Sequence, residues 1–441
     1  MIVEPFLDTD IIKEKTDNIC ISFNKPTREK IVLFKTKEYE GEGDGYYTIL
    51  YDNEYKLYYR AIGHNTFKNS KKTKYYSTEE LQPYECFCLA TSKDGLNFEK
   101  NDLNIYSYKG NTNNNILKFD IFCHNFFPYY VKDKNIYYGL SGTGIFNNGL
   151  YLFESYDGIN WNKKKKIMEG KDLLPNWIHH NHFDSLNIIV YNKNDNYYYI
   201  YVRDNKKSHR FVQYIKTIDF VKFKSSKNII IDNKNNENIE IYASNIFNYP
   251  NSNYFISLPT TRHKHPNFVL TYSAIDLKKS NYMFLSKNGH NWKIITDNIF
   301  DNNDNNNTFS VNGMVPSPDN KKLYIYNQEN FSSNNNIVCY SFEYNRLMNI
   351  YCETDGYILT NMIYLSKYNI NINCHTKENG YIVVYLIDEN NNIVITSDKI
   401  YNSDINYFIN WLSPIDNFKE GYYNIKFRLI NSHLFSFSYY N

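Results

Sequence analysis

Ser155–Trp161 reads S-Y-D-G-I-N-W, and the same turn recurs as S-K-D-G-L-N-F at Ser92–Phe98 and S-K-N-G-H-N-W at Ser286–Trp292, with a degraded copy, T-I-D-F-V-K-F, at Thr217–Phe223. Its third residues, Asp94, Asp157, Asp219 and Asn288, lie 63, 62 and 69 residues apart. In such a turn Asp or Asn bonds its own backbone, Gly takes positive φ, and the aromatic three residues after Gly packs between neighbouring units. Each copy follows a pair of Tyr-rich, strand-like runs: Thr48–Arg60, Phe127–Thr143, Asn187–Arg203 and Ser244–Arg262. A fifth pair, Gly313–Glu329, is followed near Phe342–Ile350 by a stretch that lacks the pattern. A period of roughly 65 residues is too long for a helical solenoid repeat and suits a four-stranded sheet with generous loops. Five such sheets set radially make a five-bladed β-propeller, which gathers equivalent loops from every blade around one central pocket.

Composition agrees. Among 441 residues there are 45 Tyr and 29 Phe, an aromatic load that fits pleated, half-buried surfaces and an all-β chain. A formal net charge of +2 gives no electrostatic case for nucleic acid or an anionic membrane. Seven dispersed cysteines without C-x-x-C spacing argue against a disulfide framework and for a reducing compartment. No apolar run approaches the ~18 residues of a membrane span, and the start M-I-V-E-P-F-L-D lacks a basic-then-apolar leader. The expectation is a soluble protein, cytoplasmic or, if viral, packaged. The Asn-rich tracts at Asn111–Asn115 and Asn302–Asn307 read as loop tips.

Residues 1–355 are assigned to the propeller. In them the early strand pair Ile19–Phe23 and Ile31–Phe34 is expected to supply an outer strand that closes the ring. After residue 356 short alternating runs (Met362–Tyr364, Asn369–Asn373, Gly380–Ile387, Ile393–Ser397, Tyr407–Leu412, Tyr422–Leu429, Leu434–Tyr439) predict a β-sandwich over 356–441.

The first strand of each blade starts at the central pocket and the second returns to it. Residues before the first runs and after the second should therefore converge. The pre-strand positions hold Glu40, Glu42 and Asp44, then Asp120, His124 and Asn125, then His179, His180, His182, Asp184 and Asn187, then Glu237, Glu240 and Tyr242, and finally Ser310 and Asn312. The post-strand positions hold Arg60, Thr143, Arg203, Arg262 and Glu329. Carboxylates from different blades facing one pocket are what glycoside cleavage needs: one kept protonated for the leaving oxygen, another to attack or to activate water. Asp44, Asp184 and Glu240 are the catalytic candidates. Glu42, Arg60, His124, Asn125, His182, Asn187, Arg203, Tyr242, Arg262 and Glu329 are candidates for substrate binding, the arginines suiting hydroxyls, carboxylates or phosphate. Trp177 is a stacking platform or inter-blade core. His179, His180 and His182 lack zinc-ligand spacing, so no metal or other cofactor is expected.

The chain resembles five-bladed propeller proteins with a β-sandwich tail related to glycoside hydrolase family 32 (invertase- and inulinase-like) and the neighbouring families 43 and 68. The stretches that carry the resemblance are Y-T-I-L-Y-D with Y-K-L-Y-Y-R-A, A-T-S-K-D-G-L-N-F-E-K-N-D-L, H-N-F-F-P-Y-Y, H-F-D-S-L-N-I, I-Y-A-S-N-I-F-N-Y-P and Y-I-V-V-Y-L-I-D-E-N-N-N-I. The resemblance implies a carbohydrate substrate and a carboxylate nucleophile before the first strand, where G-D-G-Y-Y-T places Asp44. It puts the family's acid near Asp184, and it puts His124–Asn125 where a second carboxylate stands in the family. Three functions follow: a glycosidase, a phosphate-dependent phosphorylase like the mannoside phosphorylases of similar architecture, or a glycan-binding protein without turnover.

Overall fold

The computed structural model describes residues 1–41, 46–62, 85–118, 120–143, 148–173, 182–206, 209–232, 239–262, 278–279, 282–300, 308–329, 336–412 and 418–441. The chain is an all-β, five-bladed propeller with a second β unit. Blade 1 is the antiparallel sheet Tyr47–Tyr51, Tyr55–Ile62, Glu85–Ser92 and Ile116–Lys118. Blade 2 is Phe127–Val131, Ile136–Ser141, Leu150–Ser155 and Asn162–Met168, and blade 3 is Ile188–Asn192, Tyr197–Lys206, His209–Thr217 and Lys227–Asn228. Blade 4 orders Ile246–Asn248, Phe255–Ser257, Met283–Ser286 and Asn291–Thr296, with Ile230–Asp232 added in parallel outside. Blade 5 places Lys322–Glu329 and Asn336–Glu343 outside the short inner strands Phe309–Ser310 and Val315–Pro316.

The ring closes twice. The outermost strand of blade 5 is Thr27–Leu33, from the other end of the propeller sequence. On the inside, Asn312 of blade 5 exchanges backbone bonds with blade 1, Ile49 N to Asn312 O and Asn312 N to Tyr47 O, both at 2.9 Å. The inner strands line an open cavity of about 300 Å³ that all five blades share, among others through Ile49, Phe127, Val190, Ile246 and Met314. Segments far apart in sequence thus meet around one axis.

The recurrent turn is the clamp between blades. Asp157 Oδ1 accepts from Ile159 N and Asn160 N, each at 2.8 Å, while Ser155 Oγ accepts from Gly158 N at 2.9 Å. Asp94 and Asn288 repeat the arrangement. Each turn glycine then offers its carbonyl to a tyrosine of the preceding blade. Tyr58 Oη donates to Gly158 O (3.1 Å), Tyr201 Oη to Gly289 O (2.6 Å), and Tyr326 Oη of blade 5 to Gly95 O of blade 1 (2.8 Å). Glycine is required here: Gly158 has φ +74°, and a Cβ would lie 2.4 Å from Tyr58 Oη. The aromatic that ends the motif packs against a ring of the preceding blade in two copies, Phe98 against Tyr326 and Trp292 against Tyr201, and Trp161, against Phe126 and Tyr137, joins the core cluster that blades 1 and 2 share. In the degraded copy Phe220 itself takes φ +57° and packs on Tyr138 and Tyr198.

The second unit draws on both ends of the chain. Its three long strands, Met348–Thr360, Asn371–Ile387 and Gly421–Tyr439, are joined by Ile2–Glu4, Ile12–Lys15 and Cys20–Phe23 as well as by Ile363–Leu365, Ile393–Thr396 and Asp404–Phe408. The runs expected to be separate strands on either side of Gly380 and Asn431 are continuous. Register shifts between Thr376 and Tyr381, with Asn379 and Asn431 at positive φ, absorb the turn signals as bulges. The unit has its own core, including Phe6, Ile350, Ile372, Leu386, Phe427 and Leu434. Among the described residues no helix is long and apolar enough to cross a membrane.

Candidate active site

Where the inner strands begin, side chains from blades 1, 2 and 3 form one chain of ion pairs, which reaches the strand Glu240–Ala243 through contacts with Tyr242. Asp184 stands in the sharp H-F-D-S turn ahead of the blade 3 inner strand, directly after Phe183, which takes φ +63°. Its Oδ1 lies 2.9 Å from His124 Nε2 and its Oδ2 lies 2.9 Å from Arg203 Nη2. His124, just before the blade 2 inner strand, turns Nδ1 to Glu85 Oε2 at 3.0 Å. Glu85 opens the third strand of blade 1 and also meets Arg60 Nη2 at 3.3 Å. Arg203 donates Nη1–H to Tyr242 O at 3.3 Å and lies over the Tyr242 ring, as does Arg210. Tyr46, directly preceding the first inner strand, packs on His124 and under Arg60. Arg203 is 3% exposed along its side chain, whereas Asp184 is 37% exposed and presents the charge of the cluster to solvent.

Electrostatics fix the charge states. Burial alone would raise the Glu85 carboxyl, but the Arg60 guanidinium and the His124 ring outweigh it and hold it at about 2. Asp184 follows the same logic: burial is overcome by the His124 hydrogen bond and the Arg203 charge, again to about 2. Burial and Arg60 oppose a charged His124, yet its bonds to Asp184 and Glu85 raise its pKa above the ordinary value. Both carboxylates are therefore anions at neutral pH, and neither is a proton donor.

The structure brings together Asp184, His124, Arg60, Arg203 and Tyr242 of the expected set. Glu240 is 4% exposed and stands in the strand next to Tyr242, with Arg262 its backbone partner in register. His182 is buried, its Nδ1 2.7 Å from Asp204 Oδ1, while Gln213 Nε2 holds the other oxygen of Asp204. Asn125 and Asn187 are fully buried fasteners instead of pocket-facing groups. Asn125 Nδ2 reaches the carbonyls of Gly142, Phe183 and Ser185, and Asn187 Nδ2 reaches those of Phe183 and Ser185. Glu329 turns outward, paired with Arg28 on the outer strand of blade 5 and accepting a hydrogen bond from Tyr340 Oη. Glu40, with no exposure, caps Thr36 N and Lys37 N and pairs Lys100. Glu42, Asp44, Trp177, His179, His180 and Glu237 lie outside the described residues.

Glu85, Tyr46, Arg210 and Asp204 are members or neighbours of the cluster that sequence reasoning did not select. Glu85 pairs in register with Ile62, so the third strand of a blade also starts at the pocket face. That rule would have found it.

No family model matches the chain, and no curated protein matches it. Among solved structures the chain is similar to an N-acetylgalactosamine deacetylase from F. plautii in complex with blood group B trisaccharide (10% identity, TM-score 0.42, 92% of this chain and 95% of that one). It is also similar to a glycoside hydrolase family 43 arabinoxylan arabinofuranohydrolase from Bacillus subtilis (11%, TM-score 0.39, 90% and 95%) and to a glycosyl hydrolase from Bacteroides ovatus (14%, TM-score 0.44, 73% and 94%).

Proposed function

We propose that the chain is a carbohydrate-active enzyme that cleaves a glycosidic bond at this cluster. The observation that carries the reading is Asp184: an ionised, solvent-facing carboxylate, one oxygen held by His124 from the turn before blade 2 and the other by Arg203 from the second strand of blade 3, at the point where the blades converge. Held this way, it orients the sugar and stabilises the positive charge that develops at the anomeric carbon. A carboxyl held at about 2 is a poor acid at neutral pH, so the proton for the leaving oxygen is assigned to Glu240, which is buried on the adjoining strand. The acidic loop carrying Glu42 and Asp44, which immediately precedes Tyr46 in the chain, supplies the nucleophile or base. Arg60, Arg203 and Tyr242 bind hydroxyl or acidic groups of the sugar.

The test is turnover of an oligosaccharide panel, with and without inorganic phosphate, by wild type, Asp184→Asn and Glu240→Gln. Each variant is expected to lose about 10²–10⁴-fold in kcat/KM. Wild-type turnover in both variants overturns the assignment, and cleavage that depends on phosphate makes the enzyme a phosphorylase.

One observation favours a second reading, glycan binding without turnover: both carboxylates of the cluster are saturated by cations, as in a structural ion-pair network. Calorimetric binding of an oligosaccharide that is never cleaved, and that survives Glu240→Gln, selects it.

A further inference from the structure

An imidazole can serve two carboxylates at once only with both ring N–H groups present, that is, as the cation. His124 does so: Glu85 lies at 3.0 Å from Nδ1 and Asp184 at 2.9 Å from Nε2. The groups facing the ring are Glu85, Arg60 and Tyr46 from blade 1 and Asp184, backed by Arg203, from blade 3. Arg60 and burial disfavour the ring's charge, and the two carboxylates favour it. Asp184 is needed elsewhere if it faces substrate, so the carboxylate that can hold the ring throughout is the inner one, Glu85.

We propose that Glu85 is a positioning residue: it keeps His124 doubly protonated, so that a cationic ring, and not a neutral one, holds Asp184 Oδ1 through Nε2–H while Arg203 holds Oδ2. The functional consequence rests on the reading of Asp184 given above; the geometry of the Glu85–His124 pair does not. With Glu85 neutral, His124 faces Arg60 with one carboxylate instead of two. The ring then gives up a proton at lower pH. The proton given up is the one on Nδ1, because the Asp184 carboxylate still holds Nε2–H, so Asp184 Oδ1 keeps a hydrogen bond but loses the positive charge of the ring and is left with Arg203 as its cation.

The experiment is an NMR pH titration of the full chain with histidine labelled at Cε1, the His124 signal being assigned by its absence in His124→Gln. In wild type the midpoint is expected above the ordinary value of 6.5. Glu85→Gln is expected to move it down by about one unit or more, a tenfold loss of proton affinity, and Glu85→Asp is expected to restore part of the shift. Glu154→Gln, which removes a carboxylate paired with Lys164 on blade 2, should leave it unchanged. A folded Glu85→Gln whose midpoint stays within about 0.3 unit of wild type overturns the proposal. If that variant does not fold, Glu85→Asp decides by the same criterion, with a smaller downward shift expected. No substrate enters the measurement. A chain that cleaves no glycan yet shows the shift loses the proposed function and keeps the role of Glu85; the opposite pair of results does the reverse.

Discussion

Replacing Asn125 with alanine should loosen the propeller from its centre. The amide sits where blade 2 meets the loop entering blade 3, fully buried. Its Nδ2 donates toward Gly142 O at 3.0 Å, Phe183 O at 2.6 Å and Ser185 O at 2.9 Å, and its Oδ1 accepts from Gly142 N at 3.0 Å and Ser141 Oγ at 3.1 Å. A net hydrogen bond contributes about 1 kcal/mol, and a stranded buried donor or acceptor costs about 1–3 kcal/mol. Asn187 and other local groups re-satisfy part of the loss, since Asn187 already serves the Phe183 and Ser185 carbonyls. The expected cost is therefore about 3–5 kcal/mol, well below the plain sum of the parts. Asn125→Asp, of the same shape, should cost at least as much, because it turns an oxygen toward three carbonyls. Urea denaturation measures both, with Asn160→Ala on the exposed turn of blade 2 as the mild reference. If both Asn125 variants fall within about 1 kcal/mol of wild type, the inter-blade fastening described here is wrong.

Tyr326→Phe removes the hydroxyl by which blade 5 grips the turn of blade 1, and Tyr58→Phe the equivalent grip of blade 1 on blade 2; each should cost about 1 kcal/mol in chemical denaturation. The acid limb of stability should be steep. Glu85, Asp184, Asp94 and Asp157 are held at about 2 in the folded chain, below ordinary values of 4.5 and 3.8, so their contribution is complete above the unfolded values and disappears as pH falls through 2. Glu4 works in the other direction. Burial, with Asp8 adding to it, raises the Glu4 carboxyl to about 7, so its contribution is full below 4.5 and is lost as pH rises through 7. Melting temperature against pH should then be highest between those limits, and Glu4→Gln should flatten the alkaline side only.

The propeller was legible because its signals are local and repeated. S-x-D-G-x-x-W/F specifies a turn whose Ser hydroxyl and Asp or Asn side chain bond the turn's own backbone, and three copies specify three blades. Tyr58, Tyr201 and Tyr326, which latch those turns, were visible only as aromatic strand residues, since a hydroxyl's partner in the next blade leaves no trace in its own. The second unit was misread at Gly380 and Asn431 for a physical reason. A residue at positive φ serves a bulge as well as a turn, and only the ladder continuing on both sides tells them apart. Of the site, Asp184, His124, Arg60, Arg203 and Tyr242 followed from strand polarity alone. Asn125 and Glu329 occupy positions of the same kind, yet one binds carbonyls of the next blade and the other a cation on the outer strand. Glu85 was overlooked because only the first two strands of each blade were read.

The most direct test of convergence is a double-mutant cycle between Glu85 of blade 1 and Asp184 of blade 3, read as unfolding free energy at pH 7. Both carboxylates press on the single His124 ring, so Glu85→Gln and Asp184→Asn should be non-additive by about 1 kcal/mol or more. Additivity within about 0.5 kcal/mol would place the two residues in separate environments and contradict the meeting of the blades at this point.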